Sequence, residues 1–147
     1  MKSIYLAAPW IHRDAARLAA EQLRAAGHKV TSNWLEHPDL LIGDDWELAA
    51  EWYPQLQQQA VEDITDILSS DVVLLLALAK SEGKATELGV AYANGMPIIL
   101  VGERKHNIFY FLPDIYRVDS VQDAIDKLAQ VEEIEASQVE DEGRYVN

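Results

Sequence analysis

The chain has 147 residues, of which 49% are hydrophobic and 25% are charged, and this is the size and balance of one ordinary globular domain. Its 12 Lys and Arg residues against 25 Asp and Glu residues give a formal net charge of −13, which disfavours binding to nucleic acid polymers and anionic membrane surfaces but allows a small anionic ligand in a local pocket. The absence of cysteine excludes disulfides, zinc–thiolate sites, iron–sulfur clusters and cysteine nucleophiles.

The sequence shows no pattern of a membrane or secreted protein. No apolar run approaches the roughly 18 residues that a membrane-spanning helix needs. The first residues enter a strand pattern directly, without the layout of a signal peptide. We therefore expect a soluble, cytoplasmic protein.

Strand-like and helix-like segments alternate along the chain. Short apolar runs predict strands, and apolar residues at helical spacing predict helices. In chain order, the pattern predicts a strand at 3–8, a helix at 12–26, a strand at 28–34, helices at 46–53 and 54–70, a strand at 71–78, a helix at 84–94, strands at 97–101 and 116–118, and a helix at 121–129. Segments 35–45 and 102–114 are expected to be loops. We expect residues 1–130 to form one domain and residues 131–147 an acidic C-terminal tail.

This alternation predicts an α/β fold. Right-handed βαβ crossovers give a parallel sheet that is covered by helices on both faces. Four to five strands in this length suggest a flavodoxin-like doubly wound sheet, which binds ligands beyond the carboxyl ends of its strands. Polar residues just after Ala8, Trp34, Leu78 and Val101 are therefore the site candidates.

The Gly83-Lys84 pair suggests a phosphate-binding P-loop, but the surrounding residues do not fit one. The P-loop pattern needs Gly at the position of Leu78 and Ser or Thr at the position of Ala85. No Gly-rich dinucleotide motif follows the first strand, and the acids of a phosphorelay receiver are missing there. These three classes are disfavoured.

Glu87 is the strongest candidate for chemistry. It is predicted to lie about one turn into a helix that begins at the ligand-binding edge, where free N–H groups and the helix dipole favour a carboxylate. Such a carboxylate is either a nucleophile or a structural first-turn residue. Gly83 would let backbone approach a ligand and Gly89 would let the helix pack tightly on the sheet, although both also have plain turn and packing explanations.

Other candidates lie near the same edge. Tyr5 is either a site residue or a core tyrosine. Asp63, with Asp66 and Asp71 near it, is either a site acid or an exposed helix acid. Asn107, after His106, suits a sugar hydroxyl or a turn. Four tryptophans could form core or stack on a flat base; these are Trp10, Trp34, Trp46 and Trp52.

Together these residues resemble the nucleoside 2-deoxyribosyltransferase family over residues 3 to about 120. The stretch from Ile4 to Trp10 is similar to the family's first-strand motif, and Glu62-Asp63 to its acidic helix before the central strand. Residues 86–93 (TELGVAYA) resemble its Glu-Leu-Gly-Tyr-Ala motif, with Val90 in place of Tyr. Asn107 matches an asparagine after the fourth strand. Residues 36–38 (EHP) match a stretch found in some members.

The resemblance implies cleavage of the N-glycosidic bond of a 2′-deoxynucleoside. Glu87 would attack the anomeric carbon and form a covalent deoxyribosyl-enzyme, which a second base or water then resolves. Tyr5 would orient Glu87, and Asp63 would hold a sugar hydroxyl or supply the proton that the leaving base needs. Asn107 would contact the 5′ end of the sugar. The other implied substrate-binding residues are Ala8, Trp10, Ser81 and Gly83.

The resemblance also implies a nucleoside or nucleotide and a nucleobase as ligands, no metal or organic cofactor, and a homo-oligomer. Phe109, Tyr110 and Phe111 are interface candidates, or they pack on their own domain.

The residues leave transfer and hydrolysis open. Ser81 stands where the transferases carry an aspartate and where related deoxynucleoside 5′-monophosphate N-glycosidases carry a phosphate-binding serine. The Ser and Arg that those hydrolases carry after the first strand are not evident, and Ala8-Pro9-Trp10 is closer to the transferase pattern. Tyr145 is only weakly similar to a C-terminal tyrosine of some transferases. We therefore predict a deoxyribosyltransferase; the alternatives are a 5′-monophosphate N-glycosidase and an inactive nucleotide-binding module.

Overall fold

The computed structural model describes residues 1–37 and 50–131. Five strands lie in these ranges: β1 (Ser3–Ala7), β2 (Lys29–Val30), β3 (Val72–Ala77), β4 (Ile98–Gly102) and β5 (Ile115–Val118). The helices are α1 (Arg13–Ala25), α2 (Tyr53–Leu68), α3 (Glu82–Ala93) and α4 (residues 121–131). Short 3₁₀ turns occur at Trp10–His12, Asn33–Glu36, Ala50–Trp52 and Ile108–Phe111.

The strands form one parallel sheet in the order β2-β1-β3-β4-β5, which confirms the flavodoxin-like doubly wound prediction. From β1 the chain passes through α1 to β2 at one edge of the sheet. It then crosses back through α2 to β3, on the other side of β1, and continues through α3 to β4. Because these crossovers are right-handed, α1 lies on one face and α2 and α3 lie on the opposite face. The direction reverses between β1 and β3. Ligands bind at this switch point in such sheets.

The apolar pattern explains the centre of the fold. All six residues of β3 are buried, as a strand covered on both faces requires. On α1 the buried residues are Ala16, Ala19, Ala20 and Leu23, which recur every three or four positions and form one stripe. Pro54 lies in the first turn of α2, where its missing N–H costs no helical hydrogen bond.

The predicted second strand is wrong in its extent, because pairing ends soon after Val30. The Ser32 side chain takes over there: its Oγ accepts from the Leu6 amide and lies 3.3 Å from the Leu6 carbonyl oxygen. Asp66 then accepts from both the backbone and the side-chain amide of Asn33. These bonds turn the chain into the 3₁₀ turn at Asn33–Glu36.

Some predictions lie outside the described residues. They are most of the loop at 35–45, Trp46 and the first part of the helix at 46–53, and nearly all of the acidic tail at 131–147. Within the ranges that the structure does describe, no helix is both long and apolar enough to cross a bilayer.

Candidate active site

A cavity of about 170 Å³ opens at the carboxyl edge of the sheet, at the switch point between β1 and β3. It contains most of the site residues expected from sequence, together with three that were not expected. The described lining residues are Ala8, Trp10, Trp34, His37, Gln59, Asp63, Ser81, Gly83, Lys84 and Glu87.

The start of α3 sets the position of Glu87. Ser81 is the N-cap, and its Oγ accepts from the Lys84 amide at 3.2 Å, a bond that satisfies one of the free N–H groups of the helix start. A Cβ built on Gly83 would lie 4.0 Å from Glu87 Oε1. Gly83 therefore lies directly beside the carboxyl group, where a methyl group would make only ordinary van der Waals contact.

The expectation that the helix start keeps Glu87 ionised is wrong. The helix begins at Glu82, two residues before the predicted start, so Glu87 is its sixth residue. The helix dipole acts on groups in the first turn, and Glu87 lies beyond that turn. Burial, and then the charge of Asp63, raise the pKa of Glu87 to about 8, although Tyr5 and Lys84 pull it down. The carboxyl group is therefore mostly neutral at pH 7 in the free protein.

Tyr5 and Asp63 converge on Glu87 from β1 and α2. Burial, followed by the charges of Glu87 and Asp63, raises the pKa of the Tyr5 hydroxyl well above its ordinary value. Burial also raises the pKa of Asp63 to about 6, against the opposing pull of His37. Tyr5 and Glu87 lie close enough to perturb each other, although no pair of their oxygens meets strict hydrogen-bond geometry.

One buried polar atom on each of these side chains has no hydrogen-bond partner in the described part of the protein. The three atoms are Tyr5 Oη, Asp63 Oδ1 and Glu87 Oε2. Buried polar groups are normally paired, and an unpaired one costs about 1–3 kcal/mol. Asp63 and Glu87 line the cavity and Tyr5 is coupled to Glu87, an arrangement that is typical of groups set up for a polar ligand.

Two tryptophans form an aromatic wall of the cavity. Their ring centroids are 5.9 Å apart, with the planes tilted by 49°. Trp34 is buried, and its Nε1 donates to the Leu6 carbonyl at 2.8 Å, while Trp10 is 36% exposed. Trp34 is therefore fixed by the fold, while Trp10 is partly exposed at the cavity, with the Arg13 guanidinium 5.1 Å from its ring centroid.

Asn107 is not in this cavity. It lines a neighbouring cavity of about 380 Å³, which shares Ser81 with the first. Its side-chain Oδ1 accepts from the Phe109 amide at 2.9 Å and caps the 3₁₀ turn at Ile108–Phe111. The same cavity contains Lys80 and His106.

Sequence reasoning missed Lys84, His37 and Gln59 as cavity residues. Lys84 was weighed only as part of a P-loop, although its position three residues before Glu87 predicts a shared helix face. The spacing of Gln59 and Asp63, four residues apart on α2, was the equivalent signal. His37 was noted only within the EHP stretch; it lies 3.5 Å from the Glu62 carboxylate.

Several other candidates are structural. Asp66 binds Asn33, and Asp71 accepts from the Ser3 amide. The idea that Gly89 allows close packing on the sheet is wrong, since it is exposed and a Cβ there would meet no atom within 4 Å. Across residues 1–37 and 50–131, no cluster of three potential metal ligands occurs.

The fold and this site are those of a flavodoxin-like α/β protein with an acidic pocket at its switch point. The sequence model of the family described as nucleoside 2-deoxyribosyltransferase matches residues 4–147. The chain therefore belongs to that family, which includes nucleoside deoxyribosyltransferases and nucleotide N-glycosidases. A comparison with curated protein sequences gives no match.

Solved structures show the same fold at low sequence identity. The 2-deoxyribosyltransferase from Bacillus psychrosaccharolyticus is 20% identical, with a TM-score of 0.58 over 84% of this chain and 90% of that one. A conserved protein from Enterococcus faecalis V583 is 18% identical, with a TM-score of 0.59 and coverage of 88% and 98%. The CMP N-glycosidase BcmB of Clostridium botulinum is 19% identical, with a TM-score of 0.54 and coverage of 88% and 99%.

Proposed function

We propose that this protein cleaves the N-glycosidic bond of 2′-deoxyribonucleosides through a covalent deoxyribosyl–Glu87 intermediate and transfers the deoxyribose to another nucleobase. The observation that carries the proposal is the convergence of three unpartnered buried polar atoms: those of Asp63 and Glu87, which line the cavity, and that of Tyr5, which perturbs the pKa of Glu87. Family membership supplies the reaction class.

In the first step a Glu87 carboxylate oxygen bonds to the anomeric carbon while the bond from that carbon to the base nitrogen breaks. The electron pair stays on the base nitrogen, which takes a proton from Asp63. In the second step a nitrogen of the acceptor base attacks the same carbon, releases the carboxylate and returns a proton to Asp63. Two displacements at one carbon retain its configuration, as in a retaining glycosidase.

The surroundings fit this division of roles. The base lies against the exposed part of the Trp10 ring that lines the cavity, where aromatic stacking contributes about 1–3 kcal/mol per base. The Tyr5 hydroxyl orients the reacting carboxyl group. The pKa values of about 8 for Glu87 and about 6 for Asp63 mean that near pH 7 the two carboxyl groups together hold about one proton, mostly on Glu87. The reaction therefore proceeds from the less populated form, in which that proton is on Asp63 and Glu87 is ionised.

The test is base exchange with and without an acceptor. The protein is incubated with a 2′-deoxynucleoside alone or with a second base, and products are separated by chromatography. Glu87→Ala should abolish both release and exchange, while Glu21→Gln, on the exposed face of α1, should retain them. Mass spectrometry of wild-type protein mixed with a slow substrate should find a deoxyribosyl adduct on the peptide that contains Glu87. Unchanged turnover in Glu87→Ala would contradict the mechanism.

A second candidate is hydrolysis of 2′-deoxynucleoside 5′-monophosphates. The neighbouring cavity favours it, because Lys80 and His106 line that cavity beside Ser81 and the start of α3, and helix starts bind phosphate well. Hydrolysis would be favoured by two results. With water as acceptor, kcat/KM should be higher for the monophosphate than for the nucleoside, and Lys80→Met should lower the kcat/KM for the monophosphate. Binding without turnover of any donor would favour an inactive nucleotide-binding module.

The proposal includes a homo-oligomer. Ile108, Phe109 and Phe111 are exposed, whereas Tyr110 is buried in its own domain. Phe109 and Leu112 lie beside an apolar depression on α3. Light scattering of the full chain measures the oligomeric state, and Phe109→Ser with Phe111→Ser should lower it.

A further inference from the structure

Lys84 is a buried lysine on the wall of the cavity that contains Glu87. Only 1% of the residue is exposed, although a lysine is almost never buried without a specific partner. Its Nζ donates to the carbonyl oxygen of Ala79 at 2.6 Å and to that of Leu76 at 3.3 Å. Both carbonyls belong to the end of β3 or the turn after it, so the ammonium group is fixed at the carboxyl edge of the sheet.

A second contact fixes the same group from the opposite side. The Lys84 ammonium lies 5.5 Å from the ring centroid of Tyr110, within the range of a cation–π interaction. Tyr110 is buried in the 3₁₀ turn that Asn107 caps, and Arg104 holds its carbonyl oxygen at 3.0 Å. The lysine is thus held between β3 and a braced turn and is not free to follow a ligand.

We propose that Lys84 is a positioning residue whose fixed ammonium group stabilises the carboxylate form of Glu87 that attacks the sugar. The proposal rests on the proposed function for its catalytic meaning. The two residues are three positions apart on α3 and line one cavity, so they share a helix face. Lys84 is the only lysine or arginine among the described lining residues.

The charges around Glu87 show why such a group is needed. Tyr5 faces the carboxyl group from β1, and Asp63 faces it from α2 with a charge of the same sign. The other basic side chain on the wall is His37, which lowers the pKa of Asp63 against the effect of burial. Each of the two carboxyl groups therefore has one basic neighbour among the described lining residues. Lys84 favours ionisation of Glu87, which supplies the nucleophile.

The energetic cost of this arrangement falls on the lysine. Burial lowers its pKa to about 8, although Glu87 pulls it up. A purely structural anchor would need only the two carbonyl bonds, which a neutral donor could also make. A fixed positive charge next to the reacting carboxyl group has a function that such a donor cannot replace.

The test measures the titration of Glu87 directly in the full chain, without substrate. Glutamate labelled with ¹³C at the side-chain carboxyl is followed by NMR from pH 5.5 to 10, and the Glu87 signal is identified by its loss in Glu87→Gln. The variants are Lys84→Met, which removes the charge, Lys84→Gln, which keeps a donor for one carbonyl, and Lys84→Arg, which keeps the charge. Lys29→Met, at the exposed β2, is the control for loss of one positive charge.

Loss of a nearby opposite charge shifts a carboxyl pKa by about 1 pH unit at the lower end of the usual range, and the lower end applies because Lys84 acts on Glu87 less than burial, Asp63 and Tyr5 do. The Glu87 midpoint should rise by that amount in Lys84→Met and Lys84→Gln, stay near the wild-type value in Lys84→Arg and not move in Lys29→Met. The limb of kcat/KM for base release that reports Glu87 should move with its midpoint in the two neutral variants and stay in place in Lys84→Arg. A merely structural role would lower kcat/KM equally at every pH and leave the limb in place.

An unchanged Glu87 midpoint in both neutral variants would overturn the proposal, as would a Lys84→Arg protein that titrates like Lys84→Met. The circular dichroism of each variant confirms that it is folded, and Lys84→Gln keeps the test valid if Lys84→Met does not fold. Because the titration needs no turnover, its result is separate from the proposed function, which fails instead if wild-type protein releases no base.

Discussion

Replacing Glu87 by glutamine should make the free protein increasingly more stable than wild type as the pH rises from 5 to 9. Burial beside Asp63 raises the pKa of Glu87 from 4.5 to about 8 in the folded state, while the unfolded chain keeps the lower value. The stability associated with the protonated carboxyl group is fully present below pH 4.5 and is lost as the pH rises through 8, because the unfolded state ionises first.

The size of the effect follows from the difference between the two pKa values. Each pH unit between them costs the wild type about 1.4 kcal/mol of unfolding free energy, so the interval of about 3.5 pH units amounts to roughly 4–5 kcal/mol. The glutamine side chain does not titrate and removes this dependence. Between pH 5.5 and pH 9 the advantage of Glu87→Gln should therefore grow by about 3 kcal/mol and then level off.

The assay is urea unfolding followed by circular dichroism at intervals from pH 5.5 to 9.5, with wild type, Glu87→Gln and Glu21→Gln in the same buffers. Glu21→Gln controls for the general effect of removing one negative charge from an acidic chain. The quantity compared is the difference in unfolding free energy from wild type at each pH. A difference for Glu87→Gln that stays constant between pH 5.5 and 9 would refute the assigned burial of the carboxyl group.

Three further predictions concern single side chains. Tyr5→Phe removes a buried hydroxyl without a partner, so it should raise the unfolding free energy by about 1–2 kcal/mol and lower kcat. Thermal unfolding measures the first effect and base release the second. A less stable variant with full activity would contradict the reasoning. Trp10→Ala should weaken substrate binding by about 1–3 kcal/mol, seen as a rise in KM larger than the fall in kcat, and an unchanged KM would remove Trp10 from the base site. Gly102→Ala should lower the unfolding free energy by about 1–3 kcal/mol. The φ angle of Gly102 is +113°, and the new Cβ would lie 3.4 Å from the Cβ of Ala77. If urea unfolding of the variant matched wild type, the end of the strand would have relaxed.

The sequence was sufficient for the parts of the fold that depend on local pattern. The buried run of β3, the helical stripe of α1 and the proline start of α2 are each encoded by neighbouring residues. The second strand was predicted too long, because its pairing is replaced by side-chain bonds from Ser32 to Leu6 and from Asp66 to Asn33. These contacts join residues 26 or more positions apart, and no local pattern reveals them.

The candidate site divides in the same way. Glu87 was found because it lies early in a helix at the ligand-binding edge, and Tyr5 and Asp63 were found through motif resemblance. Lys84 was missed because its role depends on the carbonyls of Leu76 and Ala79 and on the ring of Tyr110, which only the folded chain brings to it.

The raised pKa of Glu87 also bears on how the proposed reaction would gain its rate. A buried carboxylate beside Asp63 is costly in the free protein, so the unliganded site keeps Glu87 protonated. The transition state of glycosidic cleavage carries positive charge on the sugar ring, and that charge would lie next to the buried Glu87 carboxyl group. The carboxylate that is unfavourable alone becomes favourable opposite a cation, in surroundings where electrostatic interactions are stronger than in water. Stabilisation that appears only in the transition state lowers the barrier without tightening the binding of substrate. The fixed ammonium of Lys84 then limits how much of the ionisation cost remains before the sugar arrives.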